Sequence, residues 1–439
     1  MRIELNATHD PARRSFVASA NAADGDFPIQ NLPFGVFDDA PSGEARARGG
    51  VALGDRIIDL AALVDAGALD GLAASTAQIA SKASLADLFA ADPAGVSQLR
   101  AALSDLYREG SDKQGLAEAA LLPAASATML MPARPPAFTD FCTSADHILR
   151  MARSGGRAPQ PAWATLPVAY NGRASSVAVS GTQVKRPFGQ VVPRGESAAV
   201  FAPEPMLDFE VEFGAWLRGP DNGLANRLGE TVSLEEAEEL LFGCCLVNDW
   251  SARGIQFYEM ILGPHLGKSF LTTISPWIVT MEALAPFRVA ARGRTGDEPA
   301  LLPYFDSPFD RAHGGLNVEL TAHLDTGFGP HRIVRTNVAE LFWTLAQMVT
   351  HQASGGAPLE NADLIATGTV SGAADEARAC LVELTELGKT PITLPDGTTR
   401  VMLEDGDTLS IKGRALAEGF VPIGFGECSG TIHPAKAPA

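Results

Sequence analysis

Residues 207–213 read LDFEVEF, in which hydrophobic residues alternate with Asp208, Glu210 and Glu212. Side chains of a strand point to opposite faces in turn, so this pattern predicts a strand with three carboxylates on one face. Mg²⁺ and Ca²⁺ prefer carboxylate oxygens as ligands. A solvated outer face would show the same pattern, because exposed acids are common and cost little. The stretch therefore predicts either a solvated face or a cation site.

A further acid, Asp249, ends the apolar run CCLVND. The run predicts an interior strand with the carboxylate at its rim. Aspartate is also a favoured first residue of a helix, and WSARGIQFYEM follows directly. Asp249 is thus either a helix cap or a further metal ligand.

Histidine and lysine occur in two more stretches with possible chemistry. FTDFCTSADHILRMAR (138–153) contains Asp140 and His147, and an imidazole beside a metal site is well suited to take a proton from water. A lone histidine is more commonly a surface or satisfied side chain. GPHLGKSFLTTISPW (263–277) contains Lys268 but does not match the phosphate-binding pattern, since position 262 is Leu. A lysine held in such a turn could supply a fixed positive charge to an oxyanion.

Composition limits the classes of protein that could hold these groups. The chain has 439 residues, 46% hydrophobic and 20% charged, which predicts two or three globular units. Its 43 glycines and 30 prolines favour a β-rich architecture. The net charge of −18, without a long basic run, argues against nucleic acid and anionic membranes as partners.

The termini and cysteines indicate the compartment. The start, MRIELNATHDPARRS, lacks the apolar run of a signal peptide, and no stretch approaches the roughly 20 apolar residues of a membrane span. The five cysteines include no CxxC pair, which argues against a disulfide framework or a thiolate zinc site. We therefore expect a reducing cytoplasm.

The pattern of elements changes near residue 135. Residues 27–60 predict short strands, 61–127 are Ala-rich with helical spacing, and the proline-rich 123–138 predicts a linker. We expect an N-terminal domain, 1–135, with an Ala-rich helical insertion, and a catalytic domain, 136–439.

Strand patterns dominate the second domain. They include SSVAVSG (175–181), GLNVELTAHL (315–324), CLVELTEL (380–387) and DTLSIKG (407–413). One helix is predicted from a capping box, Ser233 with Glu236, and Gly243 is expected to end it. GFGECSG (424–430) is interpreted as a turn.

Six ordered blocks together resemble the fumarylacetoacetate hydrolase family. The blocks are LPVAYNGRASSVAVSGT (166–182), LDFEVEFGAWL (207–217), NRLGETVSLEEAEELLFGCCLVNDWSARGIQ (226–256), LGPHLGKSFLTTISPW (262–277), ADLIATGTVSG (362–372) and IGFGECSGTI (423–432). NLPFGVF (31–37) and GVALGDRIIDLAAL (50–63) resemble the smaller N-terminal domain of that family. The likeness is weak over residues 65–127.

The resemblance implies a mainly β (α+β) protein. It implies a small N-terminal SH3-like barrel followed by a large mixed β-sandwich or roll, usually as a homodimer. It also implies hydrolysis of a carbon–carbon bond in a β-diketo acid within tyrosine and other aromatic amino acid degradation. The substrate would be a small molecule, and the cofactor Mg²⁺, Ca²⁺ or both.

The site residues of the family fall on matching positions. The implied metal ligands are Asp140, Glu210, Glu212 and Asp249, with Lys268 and Thr272 at a neighbouring cation site. The implied catalytic residues are His147 as general base, Glu383 as its orienting carboxylate, and Arg253, Gln256 and Lys268 as groups that hold the developing charge. The implied substrate-binding residues are Cys142, Arg153, Tyr170, Gln256 and Thr369. Asp208 has no role in this pattern and is expected to face solvent.

The substrate pocket departs from the family at several positions. Cys142 stands where the family has a tyrosine, a second tyrosine is missing near Met260, and Asn171 replaces a histidine. The loop after His147 is short, so either Arg153, Arg157 or neither binds the substrate carboxylate. Loss of hydroxyl groups can change discrimination between substrates by large factors.

Three hypotheses follow from the sequence. The first is a metal-dependent hydrolase of fumarylacetoacetate or a close 3,5-diketo acid. The second is an acylpyruvate-type or other diketo-acid hydrolase. The third is a catalytically silent, cation-binding scaffold; the joint presence of His147, Glu383 and Lys268 counts against it, because a structural metal would not need them.

Overall fold

The computed structural model describes residues 5–40, 46–193, 195–220, 223–259 and 263–437. Its first unit is an antiparallel sheet in the order β4-β3-β2-β1-β5. The strands are β1 Phe34–Asp38, β2 Arg48–Leu53, β3 Arg56–Asp59, β4 Leu121–Pro123 and β5 Thr128–Leu130. The predicted strands of 27–60 are confirmed. The closure of this sheet into an SH3-like barrel stays a prediction.

The Ala-rich segment forms helices, as its spacing predicts. They are α1 Leu60–Asp65, α2 Gly71–Ala80, α3 Ala86–Phe89, α4 Pro93–Tyr107 and α5 Gln114–Ala119. Their apolar residues, Leu99 and Leu103 among them, pack in one core with Val36 and Val51 of the sheet. The linker prediction is wrong in part, because β5 pairs with β1 (Met129 opposite Phe37).

The strands of the second unit run from residue 138 to 433. In chain order they are β6 Phe138–Cys142, β7 Val168–Gly172, β8 Val177–Val179, β9 Val184–Lys185, β10 Phe188–Val191, β11 Val200–Pro203, β12 Leu207–Asp208, β13 Val211–Leu217, β14 Leu241–Asp249, β15 Ser251–Ala252, β16 Thr272–Ile274, β17 Val279–Thr280, β18 Arg288–Val289, β19 Gly315–Leu316, β20 Val318–Asp325, β21 Pro330–Asn337, β22 Leu364–Ala366, β23 Ile392–Thr393, β24 Thr399–Arg400, β25 Thr408–Ala415 and β26 Ile423–His433.

The helices of this unit are short. They are α6 Ala145–Ser154, α7 Leu234–Leu240, α8 Arg253–Glu259, α9 Pro308–His313, α10 Leu345–Ala353 and α11 Leu381–Leu384. The Ser233–Glu236 capping box of α7 is confirmed. Gly243 does not end α7, because the chain passes at Leu241 directly into β14.

Two sheets enclose the main core. One has eight strands in the order β7-β6-β22-β13-β14-β16-β8, with β17 paired to β14. The other has the order β21-β20-β25-β26-β9. Phe213 of β13 and Phe425 of β26 meet edge to face, with 5.3 Å between ring centres. Side chains of the two sheets therefore interdigitate in one core. The expectation of an α+β protein with several sheets is confirmed.

Two predictions of local structure are wrong. CLVELTEL is not a strand, because its residues 381–384 form α11. GFGECSG is not a turn but lies within β26. Its glycines let the strand pass close to tryptophans: a Cβ on Gly430 would lie 2.7 Å from the ring of Trp250.

Among the described residues, no helix is both long and apolar enough to cross a lipid bilayer.

Candidate active site

Four carboxylates meet at one edge of the eight-stranded sheet. Each of Asp140, Glu210, Glu212 and Asp249 is buried, and each offers an oxygen within 4.8 Å of the others. Asp140 lies on β6, Glu212 on β13 and Asp249 at the end of β14. Only β22 separates β6 from β13, and β13 pairs with β14. The topology thus assembles residues far apart in sequence.

Burial leaves these acids short of partners. Neither carboxylate oxygen of Glu212, nor Oδ1 of Asp140, accepts a hydrogen bond from any described residue. Burial and then the neighbouring carboxylates raise the pKa of Glu212 and of Asp140 well above their usual values. Buried, unpaired oxygens are costly. The set therefore fits a hard divalent cation, which would satisfy the oxygens and offset their repulsion.

Lys268 lies against two members of the cluster. Its Nζ donates to Glu210 and lies 2.7 Å from Oδ2 of Asp249. Although burial opposes it, the attraction of Asp249 and Glu210 raises the pKa of Lys268, which therefore stays charged. The lysine sits in a tight turn: a Cβ on Gly267 would lie 2.7 Å from backbone and side-chain atoms of Gln256.

Asp249 is held by two hydroxyl groups. Tyr170 Oη donates to its Oδ2 at 2.7 Å and Thr272 Oγ1 donates to its Oδ1 at 2.6 Å. Thr272 lies directly opposite Asp249 in the β14–β16 pair. The helix-cap alternative for Asp249 is wrong, because α8 begins four residues later and the backbone N–H groups of Gly254 and Ile255 donate to Glu204 instead.

His147 and Glu383 form a second buried group. Oε1 of Glu383 lies 2.5 Å from Nδ1 of His147, which leaves Nε2 as the other ring nitrogen. Ser144 is the N-cap of α6, and its side chain accepts a hydrogen bond from the backbone N–H of His147. Ser371 Oγ donates to Glu383 at 2.6 Å. Burial works against ionisation of Glu383, but His147 and these donors hold its pKa below the usual value.

The two groups are electrostatically coupled through Glu210. Burial would raise the pKa of Glu210, but Lys268, Arg253 and then His147 hold it below its usual value. Cys142 lies near both groups: after burial, the charges of Glu210, Asp140 and Glu383 raise the pKa of its thiol. The two groups also lie on neighbouring elements, because Asp140 is on β6 and His147 is in the first turn of α6, the next helix.

Arg253 is fully buried between two acids. Its Nε donates to Asp208 at 2.9 Å, and one terminal nitrogen donates to Glu210 at 2.8 Å and to Gln256 at 3.0 Å. The expectation that Asp208 faces solvent is wrong, because Asp208 is fully buried. The alternation from Leu207 onward is broken at Phe209 and Glu210, which belong to neither β12 nor β13.

The residues predicted to bind substrate divide into two groups. Tyr170 contacts Asp249, Gln256 contacts Arg253, and Cys142 lies on the face of β6 that carries Asp140. Thr369 is buried three residues after β22. Arg153 and Arg157 are exposed, at the end of α6 and beyond it. Met260, near which the second tyrosine is missing, lies outside the described residues.

Three residues that lie next to the site were not predicted from the sequence to do so. Arg150 lies 3.3 Å from Oε2 of Glu383, and its position one helical turn after His147 was a usable signal. Asp208 was seen but assigned to solvent. His265 has a left-handed backbone with a φ of 57° and packs on Tyr170 with ring centres 5.4 Å apart. Such a conformation is uncommon outside glycine, and the sequence does not reveal it.

Two family models match the chain. The model described as fumarylacetoacetase N-terminal matches residues 30–132, and the one described as fumarylacetoacetate (FAA) hydrolase C-terminal matches residues 137–433. The chain belongs to the fumarylacetoacetate hydrolase family. The resemblance stated from the sequence blocks is confirmed.

Named relatives match along nearly the whole chain. Fumarylacetoacetase of Oryza sativa is 40% identical over 437 residues, covering 96% of this chain and 97% of the relative. Fumarylacetoacetase of Homo sapiens is 39% identical over 432 residues, covering 95% and 99%. The solved fumarylacetoacetate hydrolase of the psychrophile Exiguobacterium antarcticum covers 92% of this chain and 100% of its own, at 17% identity and a TM-score of 0.50. That likeness concerns the fold alone.

Proposed function

We propose that this protein is a metal-dependent hydrolase that cleaves fumarylacetoacetate to fumarate and acetoacetate. As a member of this family, the chain is a hydrolase that acts on carbon–carbon bonds of diketo acids. The observation that carries the proposal is the presence of two buried groups on neighbouring elements: the four carboxylates, with Asp140 on β6, and the His147–Glu383 pair, with His147 in the first turn of α6. A scaffold that only bound a cation would not need the second group.

We propose Mg²⁺ or Ca²⁺ as the cation, held by Asp140, Glu210, Glu212 and Asp249. The donor set consists of carboxylate oxygens, and it contains three atoms that lack a partner among the described residues. When bound, such a cation polarises the carbonyl under attack and shields its developing charge. Lys268 and Thr272 belong to the same proposal as neighbours that keep Asp249 and Glu210 in place.

His147 would act as the general base. Glu383 occupies Nδ1, so Nε2 is the nitrogen that takes the proton from water. The water oxygen forms a bond to the carbonyl carbon, the π electron pair of the carbonyl moves onto its oxygen, and the proton of the water moves to Nε2. That electron pair re-forms the C=O bond when the carbon–carbon bond breaks. Glu383, ionised and hydrogen-bonded, stabilises the imidazolium that results, as the acid does in hydrolytic triads.

Breaking the carbon–carbon bond leaves its electron pair on the departing fragment as an enolate. Lys268, Arg253 and Gln256 are the groups that we propose to hold this charge, because Lys268 and Arg253 donate to Glu210 of the cluster and Gln256 accepts from Arg253. The imidazolium of His147 then returns its proton to the carbon of the enolate. Preorganised donors of this kind typically lower a barrier by roughly 3–4 kcal/mol each.

The substrate itself is the finer part of the proposal. Cys142 replaces a hydroxyl-bearing residue of the family, and it lies two residues after Asp140, on the same face of β6. This observation favours a second candidate, a hydrolase of an acylpyruvate or another diketo acid, whose acyl group would need one hydrogen bond fewer. We place substrate binding at Cys142, Tyr170, Gln256 and Thr369, and we assign the substrate carboxylate to Arg153 or Arg157, both of which are exposed.

Two further expectations remain proposals. We propose a homodimer, as the family resemblance implies, and a location in the cytoplasm. The second is supported by five cysteines that are all free, which fits a reducing compartment.

A screen of diketo acids tests the function directly. Loss of the enol absorbance would be followed for fumarylacetoacetate, acylpyruvates and shorter 3,5-diketo acids in the presence of Mg²⁺. We expect fumarylacetoacetate to have the highest kcat/KM. Faster hydrolysis of an acylpyruvate would favour the second candidate, and cation binding without hydrolysis of any diketo acid would favour the silent scaffold.

A further inference from the structure

Two acids just before β13 are completely buried. They are Glu204 and Asp208, and neither belongs to the set of residues proposed above to bind or to react. A buried carboxylate is costly unless it is paired and hydrogen-bonded. What each acid contacts therefore indicates what it does.

Asp208 holds the first turn of α11, the helix that carries Glu383. Its Oδ1 accepts from the backbone N–H of Leu381 at 2.7 Å, and its Oδ2 accepts from that of Val382 at 3.1 Å. The residue that precedes the helix, Cys380, makes no capping bond of its own. A helix of four residues has little stability of its own. The position of Glu383 thus depends on a carboxylate 173 residues away from Leu381.

The same carboxylate also fixes Arg253. Oδ2 of Asp208 accepts from Nε of Arg253 at 2.9 Å. The guanidinium then reaches Glu210 and Gln256 through a terminal nitrogen. Asp208 therefore joins the element that orients His147 to the element proposed to hold the enolate.

Glu204 holds the first turn of α8, as Asp208 holds the first turn of α11. Its two oxygens accept from the backbone N–H groups of Gly254 at 3.0 Å and Ile255 at 2.9 Å, the first amides after Arg253. The fit is tight, since a Cβ on Gly254 would lie 2.7 Å from Oε1 of Glu204. Unlike Asp208, Glu204 has no bond to α11 in the described structure.

We propose that Asp208 is a positioning residue for the reaction, which sets the Glu383 carboxylate against Nδ1 of His147 and the Arg253 guanidinium against Glu210 at once. This inference rests on the proposed function for its catalytic meaning. Its structural content, the control of the His147 ring by Asp208, is testable in the protein without substrate.

The test measures the ring nitrogens of His147 in Asp208→Asn. Asparagine keeps one oxygen for Leu381 but turns an amide N–H₂ toward the donors of Val382 and Arg253. Histidine-labelled protein would be studied by long-range ¹H–¹⁵N correlation, and the signal of His147 would be assigned as the one absent in His147→Ala. Glu383→Gln gives the reference for a ring without its carboxylate.

We expect wild type to hold the proton on Nδ1, and Asp208→Asn to move toward the mixed tautomers of Glu383→Gln. The matched control is Glu204→Gln, which caps α8 but not α11 and should keep the wild-type ring signal. Unchanged ring shifts in Asp208→Asn would overturn the proposal. Equal changes in Asp208→Asn and Glu204→Gln would overturn it too, because they would indicate general loosening.

Kinetics separate positioning from the function itself. We expect kcat of Asp208→Asn to fall about 10- to 100-fold, as for other residues that orient a catalytic group, with KM changed much less. A rise in KM at constant kcat would contradict the proposal. If wild type hydrolyses no diketo acid, the proposed function fails, whereas the ring signals still decide the role of Asp208. If Asp208→Asn does not fold, Asp208→Ser is judged by the same outcomes.

Discussion

Glu383 Oε1 lies 2.5 Å from His147 Nδ1, although 236 residues separate them in the chain. Ser371 donates to the same oxygen and Arg150 lies 3.3 Å from the other, so the carboxylate has a fixed orientation. A charged acid held in this way settles which nitrogen of the imidazole is free. The free nitrogen is the one that the hydrolytic reaction requires.

Replacing the imidazole should remove most of the activity without removing the metal. General-base catalysis typically contributes about 10²- to 10⁴-fold, so His147→Ala should lose a factor of this order in kcat. Glu383→Gln should lose a similar factor, and the double variant should be little worse than either single one, since the two act as a unit. Steady-state kinetics with measured metal content checks this, and unchanged turnover in His147→Ala would remove the proposed base.

Chelation should abolish hydrolysis, and added Mg²⁺ or Ca²⁺ should restore it. Without a cation, Asp140 and Glu212 keep unpaired buried oxygens, so loading should also raise the thermal midpoint. Glu212→Gln, which keeps the shape but removes one charge, should bind the ion more weakly by calorimetry. Full activity in excess chelator would defeat this prediction.

Lys268→Met should separate charge stabilisation from metal binding. The variant keeps the stem of the side chain but loses the cation next to Glu210 and Asp249. We expect kcat to fall about 10²- to 10³-fold, as when one stabilising donor is lost. The affinity for Mg²⁺ should rise, because a competing positive charge has gone. Weaker metal binding with unchanged kcat would show that Lys268 serves the metal site alone.

Much of the site was predictable because its signals are local. Alternation predicted a strand through Glu210 and Glu212, of which only Glu212 lies on one, β13. An apolar run predicted that Asp249 ends a buried strand, which β14 confirms. The family resemblance implied that Glu383 is a site residue, but the sequence pattern did not predict the helix, α11, that carries it. The alternation and the β-branched valine and threonine of CLVELTEL favour a strand, whereas Asp208, distant in sequence, caps a helix there. Such a cap cannot be read from the stretch it stabilises.

Glycine-rich stretches misled for a related reason. In GFGECSG the glycines suggested a turn, but they allow β26 to run close to aromatic rings, with Gly426 against Trp277. Gly243 similarly lies where a Cβ would be 2.6 Å from the backbone oxygen of Val279. Each glycine is required because another segment of the chain packs against it, and the local sequence does not show which segment that is.

Stability should depend on pH through Asp310, far from the carboxylate cluster in sequence. Burial raises the pKa of Asp310 to about 6, despite a hydrogen bond from Thr344. The folded protein binds this proton more tightly than the unfolded chain, so stability should fall as pH rises from the ordinary value, 3.8, to about 6 and should level off above that. Asp310→Asn removes this loss, which amounts to roughly 2–3 kcal/mol at neutral pH.

Thermal midpoints between about pH 4 and pH 7 check the effect of Asp310. The advantage of Asp310→Asn over wild type should grow as pH rises through this range. Asp306→Asn, an exposed neighbour, is the control and should show no such growth. A constant difference between Asp310→Asn and wild type would contradict the prediction.

Restoring a hydroxyl at position 142 should show whether fumarylacetoacetate is the natural substrate. Cys142 follows Asp140 on β6 and is only partly buried, so a larger side chain can extend into the space that borders the carboxylates. If the substrate is fumarylacetoacetate, Cys142→Tyr should lower KM by about 2- to 10-fold, the effect of one net hydrogen bond. Cys142→Phe has the same bulk without the hydroxyl and should give no gain. Equal kinetics for the two variants would mean that the hydroxyl makes no hydrogen bond to the substrate. A loss of activity in both would mean that the pocket is shaped for a different acyl group.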